Sequence, residues 1–351
     1  VQKYFAVLAW ELIANADTGG GTNFDAINVT GGILAINSGV TDRYRDAYNG
    51  GEELGMPKRI SYLLFSLLSV CVDRLQAGEP VFPALISVDR NVVYGSEQEP
   101  MHRADIYRPR SRRGKSESAK EPLPAVVFIH GGAWTLGDKG NDSVHAKKLA
   151  ARGYCVLSIN YRLAPKHRFP AQLEDCKLAL QWVSDNADSL GVDAKRIGIW
   201  GYSAGGHLSA LLALEADADT PRPVACVSGG APCDLTRFPP DTQTLSGVFG
   251  GTPRSLPDVY RKASPIVHVS EDDPPMFLFH GAKDWLVSDE NSNAMKQRLE
   301  EVKVAFEYVS VPNKGHLATF VDAETVERSF DFLDSYLRPD SAWRRDGSSP
   351  K

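Results

Sequence analysis

A serine hydroxyl is a weak nucleophile unless a base takes its proton, so its backbone setting matters as much as its identity. In this chain of 351 residues, Gly201-Tyr202-Ser203-Ala204-Gly205 stands between the apolar run Arg196–Trp200 and a helix beginning near Ala204. A serine so placed must take a sharp strand-to-helix turn. Its small neighbours let strand and helix approach, and the hydroxyl is left exposed. Amides at the helix start face any negative charge that develops beside it. Ser203 is the candidate nucleophile.

A nucleophilic serine requires a base and a group that orients the base. His316 follows the apolar run Val304–Val309, and Gly315 beside it gives the backbone freedom to turn the imidazole inward. Asp284 lies 81 residues after Ser203 and 32 before His316, just past the apolar run Met276–Phe279, where a strand-end carboxylate can enter a site. The order serine, aspartate, histidine is that of the α/β hydrolases. Asp234, Asp258, Asp272 and Asp273 are the competing carboxylates. Asp234 is the reserve among them, although a cap or turn role suits it better.

His130-Gly131-Gly132-Ala133-Trp134 follows the apolar run Ala125–Ile129. Its glycines let the chain bend and bring N–H donors close to a substrate oxygen, so that with the Ala204 amide it can bind an oxyanion. His130 precedes the nucleophile and is read as the residue that holds this loop, not as the base. Trp134 and Tyr202 are the candidate pocket-lining residues. His280 is expected to support packing or a loop hydrogen bond, and His207 to be a core or cap partner. Arg162, in Tyr161-Arg162-Leu163-Ala164-Pro165, is expected to pin its proline-defined loop.

The elements that must position these groups alternate along the chain. Strand signals fall at Ala84–Asp89, His102–Tyr107, Ala125–Ile129, Tyr154–Asn160, Arg196–Trp200, Val224–Val227, Met276–Phe279 and Val304–Val309. Helical spacing falls at Leu173–Val183, His207–Leu214, Ser288–Leu299 and Val326–Leu337. Short strands bounded by longer helices imply a mainly parallel sheet covered on both faces, with chemistry at the carboxyl ends of the strands. The fold class is therefore α/β. Arg108–Lys120, with six positive charges and one negative, is expected to be a solvated hairpin loop.

Composition narrows the function. A net charge of -5 gives no general drive toward nucleic acid or anionic lipid. Cys71, Cys155, Cys176, Cys226 and Cys233 form no CxxC pair, so neither a zinc framework nor a disulfide scaffold is expected. Their sparseness favours a reducing, cytoplasmic setting and leaves secretion open. The histidines are dispersed without HExxH, and the glycines complete neither GxGxxG nor a P-loop, so no metal and no cofactor are called for. Ile60–Val72 is uncharged but too short to span a membrane. It is read as a helix capping or packing on the main domain, with a signal-like segment as the alternative. The expected organisation is an extension at 1–80 serving as a cap or dimer element, a catalytic domain at 81–340, and a polar tail at 341–351.

Taken together, HGGAW, YRLAPKHRFP, GYSAGGHLSALLAL, HGAKD and NKGH resemble the α/β-hydrolase superfamily. They look most like its hormone-sensitive-lipase-like and bifunctional xylan-esterase/feruloyl-esterase-like carboxylesterases. The resemblance covers roughly residues 86–337. It implies Ser203 as nucleophile, Asp284 as acid and His316 as base, with oxyanion donors at the amides of Gly132, Ala133 and Ala204. Ala133 stands where lipase-like relatives often have a third glycine. The donated group is main-chain, so activity is expected to survive this departure. HGGAW also resembles the loop of arylformamidases. The expectation is a serine carboxylesterase that cleaves short-acyl small-molecule esters through an acyl-enzyme. An arylformamidase or other amide hydrolase, and a catalytically silent binding protein on the same scaffold, are the alternatives.

Overall fold

The computed structural model describes residues 86–110, 121–215 and 220–338, all within the compact unit that spans Pro80–Lys351. The expected cap helix at Ile60–Val72, the extension around it and the polar tail lie outside the described residues. Eight strands form one sheet: β1 (Ile86–Val93), β2 (Arg103–Pro109), β3 (Leu123–Ile129), β4 (Cys155–Ile159), β5 (Val192–Tyr202), β6 (Cys226–Gly229), β7 (Met276–Gly281) and β8 (Phe306–Val311). Their spatial order is β1-β2-β4-β3-β5-β6-β7-β8. β2 pairs antiparallel with β1 and β4, and every other pairing is parallel. This is the mainly parallel sheet that the alternating pattern implied.

The central strands are apolar on both faces because helices cover both. In β3, Val127 and Ile129 join one buried cluster, while Val126 and Phe128 join the other. Six principal helices flank the sheet: α1 (Ser143–Ala151), α2 (Ala171–Asp185), α3 (Ala204–Leu214), α4 (Glu290–Val302), α5 (His316–Phe320) and α6 (Ala323–Leu337). Every residue of α3 is buried, so it behaves as core rather than as a surface helix. α6 is amphipathic. Its buried Val326, Phe330, Leu333 and Leu337 recur at three- and four-residue steps, and Ser329 Oγ accepts the Trp200 indole N–H at 3.0 Å.

One sequence reading is corrected by this topology. Arg108–Lys120 is not a hairpin loop, because β2 and β3 are not neighbours and β4 lies between them. Arg108 lies within β2 and pairs with Asp89 of β1, and residues 111–120 lie outside the described residues. The four described cysteines are buried free thiols. Among the described residues, no helix is long and apolar enough to cross a membrane.

Candidate active site

Ser203 ends β5 and opens α3 in a conformation that L-residues rarely adopt, with φ 58° and ψ -123°. Positive φ at a non-glycine residue costs on the order of 1–3 kcal/mol and persists only where its surroundings over-determine it. Here the Ser203 amide donates to Gly229 O at 2.8 Å, and its carbonyl accepts from the His207 amide at 2.9 Å. The two glycines of the turn are required by contact. A methyl on Gly201 would strike the Gly205 carbonyl, and one on Gly205 would strike that of Ile129. From Gly201 to Ala210, Ser203 alone is not buried, so the turn presents its side chain outward.

The HGGAW loop lies against this serine. A methyl on Gly131 would sit 2.9 Å from Tyr202 O and 3.4 Å from Ser203 Cβ. Three successive residues then take positive φ: Gly132 at 119°, Ala133 at 51° and Trp134 at 59°. The turn is closed by the amides of Thr135 and Leu136, which donate to Gly132 O at 3.0 and 2.9 Å. Among the described residues, the amides of Gly132, Ala133 and Ala204 donate to no protein acceptor, which leaves them available to a ligand oxygen. His130 is the pillar of the loop. Its ring stacks on Tyr161 at 4.2 Å, Nδ1–H donates to Gly131 O at 2.7 Å, and the Tyr161 hydroxyl donates to His130 O at 2.9 Å. Burial pushes the His130 imidazole down to about 4, so it is neutral at physiological pH.

Asp284 and His316 meet in the connections that follow β7 and β8. His316 opens α5 with Nδ1 2.6 Å from Asp284 Oδ2. The Nδ1–H therefore points at the carboxylate and leaves Nε2 free to accept a proton. Asp284 Oδ1 accepts the amides of Leu286 at 3.0 Å and Val287 at 2.9 Å. Oδ2 also lies 3.2 Å from His280 Nε2. Burial alone would raise the Asp284 carboxyl. Hydrogen bonds from His280 and His316, the His316 charge and the Val287 amide outweigh it and hold the group well below the usual carboxylate range. Asp284 is thus an anion throughout the range in which His316 would work.

The other singled-out residues have definite places. Asp234 is a cap: its Oδ1 accepts from the Thr236 amide at 3.1 Å and hydroxyl at 2.6 Å. Asp273 pairs with Arg222 at 2.7 Å, remote in role from any histidine. Trp134 and Tyr202, expected to line a pocket, are both buried and spend their polar atoms inside the protein. Trp134 Nε1–H donates to His207 Nδ1 at 3.2 Å, and His207 Nε2–H donates to Ala263 O at 2.7 Å. Arg162 pins its loop through a fork onto buried Asp175, with Nε at 2.9 and 3.0 Å and Nη2 at 2.7 Å. Asp175 also receives His102 Nε2 at 3.0 Å. The sequence reading did not foresee the His280–Asp284 contact. The four-residue spacing in HGAKD was its available signal. Among the described residues, no group of histidine, cysteine and acidic side chains is arranged to hold a metal ion.

A strained serine at a strand-to-helix turn, a glycine loop with spare amides and a histidine on a strand-end aspartate define an α/β hydrolase. The chain belongs to the BD-FAE family, whose model matches residues 105–299. It is similar to esterase LipC of Mycobacterium tuberculosis, 31% identical over 254 residues that make up 65% of this chain and 59% of the relative. A probable isoprenylcysteine alpha-carbonyl methylesterase of Oryza sativa is 30% identical over 258 residues, 67% of this chain and 58% of the relative. Among solved structures, a truncated form of carbohydrate esterase from gut microbiota superposes with a TM-score of 0.64 at 27% identity. That match covers 74% of this chain and 99% of the other. The chain spans less than two thirds of the length of these curated relatives.

Proposed function

We propose that the chain is a serine ester hydrolase acting on short-acyl esters through an acyl-enzyme. The observation that carries this reading is the 2.6 Å contact from His316 Nδ1 to Asp284 Oδ2, in a His316 whose main-chain carbonyl is held by Tyr202, the residue before the strained, outward-facing Ser203. The esterase relatives support the same class of reaction.

In this reading an ester carbonyl enters between Ser203 and the HGGAW loop. His316 Nε2 takes the Ser203 proton as Oγ bonds to the carbonyl carbon, and the amides of Gly132, Ala133 and Ala204 receive the oxyanion. Asp284 fixes the imidazole's tautomer and favours its cationic form. His316 then protonates the leaving alcohol as the carbon–oxygen bond breaks. Water repeats the sequence on the acyl-enzyme and frees the acid. Each oxyanion donor in such a site is worth roughly 3 kcal/mol.

The short-acyl assignment rests on the absence of a long apolar run beside the catalytic loops. The resemblance to a carbohydrate esterase makes acetyl or similar groups on a sugar or aromatic alcohol the leading class. The test is a panel of esters from acetyl to decanoyl, with acetylated xylan, a feruloyl ester and an N-formyl arylamine included. Turnover highest for short acyl groups and lost in Ser203→Ala is the expected result. Preference for long chains overturns the acyl-length reading. Fast formamide cleavage with poor ester turnover installs the amide hydrolase, and no labelling of Ser203 by an organophosphonate installs the binding protein.

A further inference from the structure

Three hydrogen bonds and a close histidine N–H surround the Asp284 carboxylate. Oδ1 takes two loop amides, Oδ2 takes His316 Nδ1 at 2.6 Å, and His280 Nε2 stands 3.2 Å from the same Oδ2. His280 comes from the end of β7 with its side chain fully buried. Its hydrogen placement follows from its partners. The Val287 carbonyl, 2.9 Å from Nε2, and the nearby carboxylate can only accept, so Nε2 carries the hydrogen, which Val287 O receives while the N–H stays 3.2 Å from Asp284 Oδ2. Ser292 Oγ, 2.7 Å from Nδ1 and buried on α4, donates to the unprotonated nitrogen of the neutral ring. Ser292 therefore holds the tautomer in which the His280 N–H faces Val287 O and Asp284 Oδ2.

Two donors on one oxygen compete for its charge. The His280 N–H beside Oδ2 tempers the pull of Asp284 on the His316 proton, and by holding the Val287 carbonyl it fixes the residue whose amide grips Asp284 Oδ1. We propose that His280, backed by Ser292, is a positioning residue of the catalytic centre that sets both the direction and the strength of the Asp284–His316 hydrogen bond. The assignment rests on the reading of Ser203, His316 and Asp284 given above. Other titratable groups on the surrounding elements are occupied or turned elsewhere. The Tyr202 phenol of β5 donates to His316 O, Lys314 pairs with Asp322, and Glu290 at the head of α4 faces Arg237. Lys283 and Asp289 make no hydrogen bond to Asp284 or to the His316 ring.

The experiment is steady-state ester hydrolysis across roughly pH 5 to 9 with His280→Phe, His280→Gln and Ser292→Ala beside the parent. Without the His280 donor, Asp284 holds the His316 proton more tightly. The acid limb of kcat/KM is then expected to move up by about half to one pH unit, with kcat down about tenfold and KM changed less than about twofold. Ser292→Ala moves the limb the same way by less, and His280→Gln, which keeps a donor, restores part of it. The downfield Nδ1 proton of His316 in the proton NMR spectrum moves with the limb. Should His280→Phe fail to fold, Ser292→Ala and His280→Gln carry the test. A limb and proton resonance unmoved in those folded variants, with the parent's Ser203 labelled stoichiometrically by a fluorophosphonate, overturns the role of His280 alone. Failure of the parent to label overturns the triad reading, and this assignment with it.

Discussion

The hydroxyl of Tyr202 donates to the main-chain carbonyl of His316 at 2.6 Å, across 114 residues of sequence. The residue before the candidate nucleophile thus ties down the backbone of the candidate base. The two rings lie 5.0 Å apart, and both residues are buried. Burial, then the nearby Asp284 charge, raises the Tyr202 phenol well above its ordinary value, so it remains a donor at any pH the fold tolerates. Tyr202→Phe keeps the ring and deletes the tether. Its expected effect is a fall in kcat of about tenfold with KM nearly unchanged, because a small misplacement of the base is felt in the transition state more than in binding. Steady-state kinetics on a short-acyl nitrophenyl ester check this.

The strain at Ser203 makes a paired prediction. Ser203→Ala removes the nucleophile, and turnover is expected to drop by at least about four orders of magnitude. Alanine is still strained at φ 58°, whereas glycine is not. Ser203→Gly should therefore be equally inactive but more stable than Ser203→Ala by about 1 kcal/mol, the relieved strain less the entropy glycine brings. Thermal melts of the two inactive proteins side by side read the difference.

In the oxyanion loop, neighbouring small residues should behave oppositely. Gly132 has φ 119°, and a methyl there would run into the Leu136 carbonyl that follows the turn. Gly132→Ala is expected to displace the donor amides and lower kcat about 100-fold or more while the rest of the fold persists. Ala133 is exposed at φ 51°, a conformation that glycine adopts freely. Ala133→Gly is expected to retain turnover within a few-fold, because the group offered is main-chain. Kinetics with circular dichroism on both variants tests the contrast.

The candidate site was legible because each of its parts follows an apolar run. Ser203, Asp284 and His316 come directly after β5, β7 and β8, where a parallel sheet brings its chemistry, and HGGAW comes directly after β3. What escaped the sequence depended on partners distant in the chain or on burial without hydrophobicity. Helix α1 is short, and its stripe of Ala146, Leu149 and Ala150 is interrupted by Lys147 and Lys148 and joined by buried His145, which masks its signal. The Trp134–His207 bond joins residues 73 apart, and neither residue type announces the other. Asp175 looks like an ordinary helix-surface acid until Arg162 and His102 both converge on it. The place of β4 between β2 and β3 is likewise a property of the sheet, with no local signal in the sequence that joins those two strands.

Asp142 gives the last prediction, which concerns stability. It precedes α1 at the N-cap position, but its side chain caps nothing. It is 1% exposed, and neither carboxyl oxygen has a hydrogen-bond partner among the described residues. Burial, reinforced by the charge of Asp138, pushes the group up from 3.8 to about 7. Between those two values the unfolded chain has released this proton while the folded chain still holds it. Stability from this site therefore falls as pH rises from about 4 to about 7 and is flat above, by up to roughly 4 kcal/mol. The sign is opposite to that of Asp284, whose depressed value contributes stability that is lost on acidification. Asp142→Asn removes the titration and keeps the shape. It should match the parent near pH 4 and exceed it at pH 8 by about 1 to 4 kcal/mol, with activity little changed. Urea unfolding of both proteins at the two pH values measures the gap. A gap that is the same at both would show that the Asp142 carboxyl has already ionised in the folded protein at the lower pH.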